Sequence, residues 1–175
     1  MTSSKPHLLL FGWYRPGTGF TRVLEALIPA FAQEFRITWM AVGYQGAAFF
    51  WAPDVLVRPT NLHGGDMVGA YAARLEWAQL QPDLVFALND VWYLVHYSRE
   101  LAAIRGCVPM VGYLPLDGLI PNAQLFAELT GFSALVTYTQ SAALELETTL
   151  RTVHINTPVL RAGHGIDLDH FHPLI

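Results

Sequence analysis

A chain of 175 residues is long enough for one ordinary domain with a complete core and too short for two large ones. Apolar residues make up 53% and charged residues 14%, with a mean hydropathy of +0.32, yet no apolar run reaches membrane-spanning length; part of that apolar surface is expected to meet a missing partner. The net charge of −4, without any Lys/Arg cluster, excludes a nucleic-acid footprint, the single cysteine excludes an internal disulfide, and Met1 to Pro6 lacks a signal peptide's apolar core, so the chain reads as cytoplasmic.

The apolar run from Leu8 to Phe11 reads as a first strand, and Gly12-Trp13-Tyr14-Arg15-Pro16-Gly17-Thr18-Gly19-Phe20-Thr21-Arg22 as the turn from that strand into a helix. Gly17 and Gly19 lack a Cβ, so the backbone can take positive φ and approach a ligand, while the unpaired amides of the next helix face the same space. Arg15 and Arg22 add charge. A dinucleotide fingerprint, G-x-G-x-x-G, needs glycine where Arg22 stands, which argues against an NAD site and leaves a plain connecting turn as the competing reading. Val23, Leu24, Leu27, Ile28 and Phe31 fall at helical spacing, and Pro29 is expected to kink or loosen the last turns. Arg36 to Tyr44 is a second strand, ending at Gly43. From Gln45 to Gly65 the pattern is less regular: Phe49-Phe50-Trp51 needs a partner, core in preference to a surface stacking on a sugar or lipid, and Val55-Leu56-Val57 is strand-like.

Asp66 is placed to cap a helix with Val68, Tyr71, Ala72 and Leu75 on one face. The continuous apolar run Leu84 to Leu88 suits a parallel strand covered on both faces, followed by Asn89-Asp90 and a helix from Val91 to Arg105. Asp90 thus sits at a carboxyl strand end, as a helix N-cap or, less favoured, an acceptor contact; His96 reads as structural. Val108 to Leu114 is the next strand and delivers Pro115-Leu116-Asp117-Gly118-Leu119-Ile120-Pro121 to the same edge, where Asp117 either meets a substrate hydroxyl or makes an Asp-Gly turn. A short helix over Asn122 to Thr130, a strand over Ala134 to Tyr138, a helix over Ala142 to Leu150 capped by Ser141, and a last strand over Val159 to Arg161 complete the series. Strict alternation of strand and helix predicts the α/β class, as a three-layer, Rossmann-like, doubly wound, mainly parallel sheet in a single domain over 1–175.

The stretch from Val159 to Pro173 resembles the V-x-x-x-G-h-D-x-x-x-F-x-P segment between the two domains of retaining, nucleotide-sugar-dependent glycosyltransferases of the GT-B fold, matched here by Gly165, Asp167, Phe171 and Pro173. Gly17 to Arg22 looks like that family's first glycine loop, and Thr137 to Leu146 like its strand followed by a serine-started helix, so the resemblance covers nearly the whole chain. It implies the first, acceptor-side domain of two, with the nucleotide-sugar half expected after Pro173. That half carries a pair of glutamates seven residues apart in between, a spacing absent here. The family often has a histidine after the strand corresponding to Val108 to Leu114; here that place holds Pro115 and Asp117.

On this resemblance Gly17, Thr18, Gly19 and Arg22 form the donor-facing loop and lie against the donor diphosphate, and Asp117 and Asp90 are the acceptor-side candidates. The implied function is the acceptor-binding domain of a retaining glycosyltransferase, inactive alone, with a nucleotide-sugar donor, no cofactor and no nucleic acid; the acceptor is open, and so is a peripheral membrane contact. The alternatives are a free-standing Rossmann-like module for a nucleotide or phosphorylated ligand, and a metal site built from His164, His170 and His172 with Asp167 and Asp169. The linker motif disfavours the metal site, and no metal is expected.

Overall fold

The computed structural model describes residues 5–60 and 65–165. In chain order its elements are β1 (His7–Trp13), α1 (Gly19–Glu34), β2 (Arg36–Val42), β3 (Phe49–Ala52), β4 (Val55–Pro59), α2 (Ala70–Leu80), β5 (Leu84–Leu88), α3 (Val91–Leu101), β6 (Met110–Tyr113), a 3-10 helix (Ala123–Gly131), β7 (Ala134–Thr137), α4 (Gln140–Thr152) and β8 (Val159–Arg161). They build one eight-stranded sheet, ordered β3-β4-β2-β1-β5-β6-β7-β8. Every pairing is parallel except that of the edge strand β3 with β4.

The runs of consecutive apolar residues explain this arrangement. Leu8 to Phe11 is buried at every position, which an alternating half-exposed strand cannot be, so both faces of the sheet need cover. Leu24 and Ile28 of α1 pack with Leu8, Leu10, Trp39 and Phe86 on one face. On the other face, Leu9, Phe11, Met40, Val85 and Met110 meet Ala72 and Ala73 of α2, Leu94 and Tyr97 of α3, Phe126 of the 3-10 helix and Leu146 of α4. The result is the expected three-layer, doubly wound α/β sheet.

Several local expectations are corrected. Strand and helix do not alternate strictly: β3 and β4 form an antiparallel pair at the sheet edge, which covers β2 on its open side. Its aromatics divide as a half-buried strand requires, with Phe49 and Trp51 packed on the core and Phe50 70% exposed. Pro29 does not interrupt α1, which runs to Glu34; its ring sits on the solvent side, where water can satisfy the carbonyl it leaves without a donor. In α2, Ala70, Ala72 and Ala73 face the core, while Tyr71 and Leu75 point outward. Asp66 does anchor that helix, accepting from the amides of Gly69 at 2.9 Å and Ala72 at 2.8 Å. The helix after β5 ends at Leu101 rather than Arg105. The cap of α4 is Thr139, whose hydroxyl accepts from the Ala142 amide at 3.0 Å; Ser141 already lies inside the first turn.

Candidate functional site at the carboxyl edge

Parallel strands deliver their following loops to one edge, so the turns after β1, β5, β6, β7 and β8 converge there. From β1 the chain winds outward to β2, and from β5 it winds the other way through β6 and β7, so the crevice between β1 and β5 is the topological switch point. The turn after β1 forms one wall. Thr21, fully buried, holds it: its hydroxyl donates to the Trp13 carbonyl at 3.0 Å and accepts from the Arg15 amide at 2.8 Å. Gly17 takes φ 88°, the left-handed conformation a Cβ disfavours, and Gly19 opens the helix without a positive φ; the expectation that both glycines need that freedom holds for Gly17 alone. A Cβ on either would meet nothing within 4 Å, so the space in front of them is open.

Thr18 occupies the N-cap of α1 with extended backbone, but its hydroxyl turns back to the Arg15 carbonyl at 2.8 Å and caps no helix amide. No acidic residue stands in that first turn. No side-chain oxygen therefore caps the first amides of α1, whereas the Thr18 amide ahead of them donates to the Arg15 carbonyl at 3.2 Å; an uncapped helix start of this kind suits an anion. Arg22 lines an adjoining hollow of about 250 Å³, opposite Gly163, His164 and Gly165.

A cleft of about 280 Å³ lies between Gly19 and Phe20 on one side and Tyr113, Pro115, Tyr138 and His164 on the other. The His164 ring stacks on Tyr138 at 4.9 Å between centroids, and its Nε2 is hydrogen-bonded to the Tyr113 hydroxyl. The Tyr138 hydroxyl donates to Asp117 Oδ1. That carboxylate, with some help from burial, pushes the Tyr138 hydroxyl up to about 12. Beyond Tyr138 a larger hollow of about 580 Å³ separates Asp117, Gly118 and Leu119 from Thr139, Ser141 and Glu145 at the start of α4. Glu145 accepts from the Ile120 amide at 2.9 Å and so pins the loop that carries Asp117.

Asp90 occupies the N-cap of α3, as expected, but caps it through its backbone carbonyl, which accepts from Tyr93 at 3.0 Å and Leu94 at 3.2 Å; its side chain makes no capping bond. Burial, and then the charge of Asp117, hold its carboxyl above the ordinary carboxylate range. The structure thus brings Asp90 and Asp117 within each other's field, at the ends of neighbouring strands. Asn89 Oδ1 and Thr137 Oγ1, fully buried at the ends of β5 and β7, have no hydrogen-bond partner among the described residues. His96 is half-buried on α3, 6.5 Å from the Tyr97 ring.

Of the proposed interdomain motif, Gly165 is exposed beside this edge, while Asp167, Phe171 and Pro173 lie outside the described residues, as do Asp169, His170 and His172. Among the described residues no three His, Cys, Asp or Glu side chains are grouped to hold a metal ion, and no helix is long and apolar enough to cross a membrane. Sequence reasoning missed Thr21, Tyr113 and Tyr138 as site residues. Tyr113 ends β6 and Tyr138 follows β7 at the carboxyl edge, and that position was the signal available; Thr21 lies in the first turn of α1, within the glycine motif.

The chain is similar in fold to solved trehalose-phosphate synthases. Against an alpha,alpha-trehalose-phosphate synthase (UDP-forming) from Burkholderia vietnamiensis the TM-score is 0.64 at 10% identity, over 95% of this chain and 50% of that one. Against the alpha,alpha-trehalose 6-phosphate synthase from Burkholderia multivorans it is 0.63 at 11% identity, over 93% and 49%. The chain spans about half the length of these proteins. No family model and no curated protein matches its sequence. At such identities the likeness is one of fold, and it bears out the α/β, Rossmann-like fold expected from the sequence.

Proposed function

We propose that the chain is the acceptor-side domain of a glycosyltransferase that moves a sugar, with retention, from a nucleotide-sugar donor to an acceptor hydroxyl. The observation that carries this reading is the uncapped start of α1 at the switch point, open in front of Gly17 and Gly19. As the donor's glycosidic bond breaks, negative charge grows on the departing diphosphate, and preorganised amides at a helix N-terminus stabilise it without moving a proton. The fold likeness supports the same class, and the UDP-forming reaction in the first neighbour's name suggests a nucleoside diphosphate as leaving group. Asp117, held by Tyr138 across the crevice from that loop, would accept a hydrogen bond from the incoming hydroxyl and orient it.

The domain is proposed to span 1–175, to need no cofactor and to be inactive without a nucleotide-sugar half, because the loop after β1 supplies one wall of a donor site only. A cytoplasmic location goes with the single cysteine, which is exposed. The experiment is a transfer assay on the polypeptide that joins this chain to a nucleotide-sugar half. Asp117→Asn should lower turnover at least tenfold, about 1.4 kcal/mol of transition-state stabilisation, with donor binding unchanged. Wild-type turnover would leave Asp117 as a turn residue, and micromolar donor binding by the chain alone would favour a free-standing binding module.

A further inference from the structure

We infer that the acceptor taken at this edge is an uncharged sugar or polyol, and that Asp117 and Glu145 select it by repelling phosphorylated acceptors. The inference rests on the glycosyltransferase reading and names the substrate class of the same site. All ten Lys and Arg residues fall among the described residues, and none lines either of the two clefts that share Tyr138. Lys5, Arg58, Arg74, Arg99 and Arg151 are paired with carboxylates, and Arg105 donates to the Val108 carbonyl. Arg36 starts β2 at the opposite edge; Arg161 ends β8 at the carboxyl edge, in register with Thr137, but lines neither cleft. Arg15 and Arg22 belong to the glycine loop and α1, the donor wall.

Among the lining residues, charge is therefore divided across the crevice: Arg22 on the donor wall, Asp117 and Glu145 on the acceptor wall. The field there is strong enough that Asp117 contributes to raising the Asp90 carboxyl. A phosphate monoester brings about two negative charges into that field and finds no Lys or Arg lining the clefts. The start of α4 offers only about half a positive charge, and its Ala142 amide is already taken by Thr139. An uncharged sugar meets complementary groups instead. Its hydroxyls donate to the carboxylates, and its C–H faces lie on Tyr138 and Phe20, in a cleft walled mainly by carbon.

The test titrates the nitrogen-15-labelled chain with glucose and with glucose 6-phosphate, reading backbone amide shifts. Glucose should move Asp117, Gly118 and Ser141 with an affinity at least tenfold higher than glucose 6-phosphate. In the double variant Asp117→Asn, Glu145→Gln, which keeps acceptors for the Tyr138 hydroxyl and the Ile120 amide, that ratio should fall below threefold. Equal or tighter binding of glucose 6-phosphate, no shift at those amides with glucose, or a ratio unchanged in the double variant each overturns the inference. A third arm uses UDP-glucose. Absence of shifts at Gly17 to Phe20 at any concentration, with the glucose preference intact, would count against the glycosyltransferase reading and leave the charge selectivity standing.

Discussion

His7 shows how one residue at the start of a strand ties sheet stability to pH. It is buried, with Nδ1 donating to the Leu80 carbonyl at 2.6 Å and Nε2 hydrogen-bonded to the Thr38 hydroxyl at 2.8 Å, an arrangement the neutral ring satisfies with the Thr38 hydroxyl as donor. Burial holds its pKa below the ordinary 6.5. The folded state therefore binds this proton more weakly than the unfolded one, so its contribution to stability is complete above pH 6.5 and is lost as pH falls through that value toward the folded pKa. His7→Gln, whose amide can donate to Leu80 and accept from Thr38, should lose less thermal stability than the wild type between pH 7 and pH 5. Parallel losses in melting temperature would show that other groups carry the acid sensitivity.

At the scale of elements, the caps and turns decide more than the helices they bound. Thr139→Ala removes the oxygen that holds the Ala142 amide and should cost about 1 kcal/mol, whereas Ser141→Ala, inside the first turn, should be close to neutral. Chemical denaturation of the two variants separates them, and equal costs would return the cap to Ser141. The glycine loop makes a similar pair. Gly17→Ala forces a Cβ onto φ 88° and should cost about 1–2 kcal/mol of stability. Gly19→Val enters open space without a positive φ and should change stability by no more than about 0.5 kcal/mol, yet fill the place proposed for the donor phosphate and cripple transfer in the two-domain enzyme. A Gly19→Val enzyme that transfers sugar normally would remove this loop from the donor wall.

For the whole molecule, the proposed division between acceptor and donor halves has a binding consequence. One wall of a site makes a fraction of the contacts, so calorimetry of the chain with common nucleotide sugars should show nothing tighter than about 1 mM, roughly −4 kcal/mol. Zinc should likewise find no nanomolar site; a stoichiometric one abolished by His170→Ala would place a metal in the segment read here as an interdomain connection.

The fold class was legible because its cause is local. Uninterrupted apolar strands such as Leu8 to Phe11 and Leu84 to Leu88 must be covered on both faces, and only helices on both sides of a parallel sheet do that. The glycine loop was legible too, as a motif with its own backbone chemistry. What depended on partners distant in sequence was not. The buried face of α2 is made of alanines, whose pattern has little contrast, so Tyr71 and Leu75 could be assigned inward by spacing until the sheet showed which side was covered. The β3–β4 pair was hidden because a four-residue edge strand carries too few residues to establish a period. The cleft itself is a tertiary object. Tyr113, Tyr138 and His164 lie on separate strand ends and meet only through the register of β6, β7 and β8, and Asp90 acquires its raised pKa from burial and from a charge 27 positions away in the chain. Sequence by itself determined which strands needed two covered faces and where a glycine turn leads from β1 into α1. Only the tertiary structure decided which side chains share the crevice, because distances between loops depend on strand order and register, and burial and charge act through space.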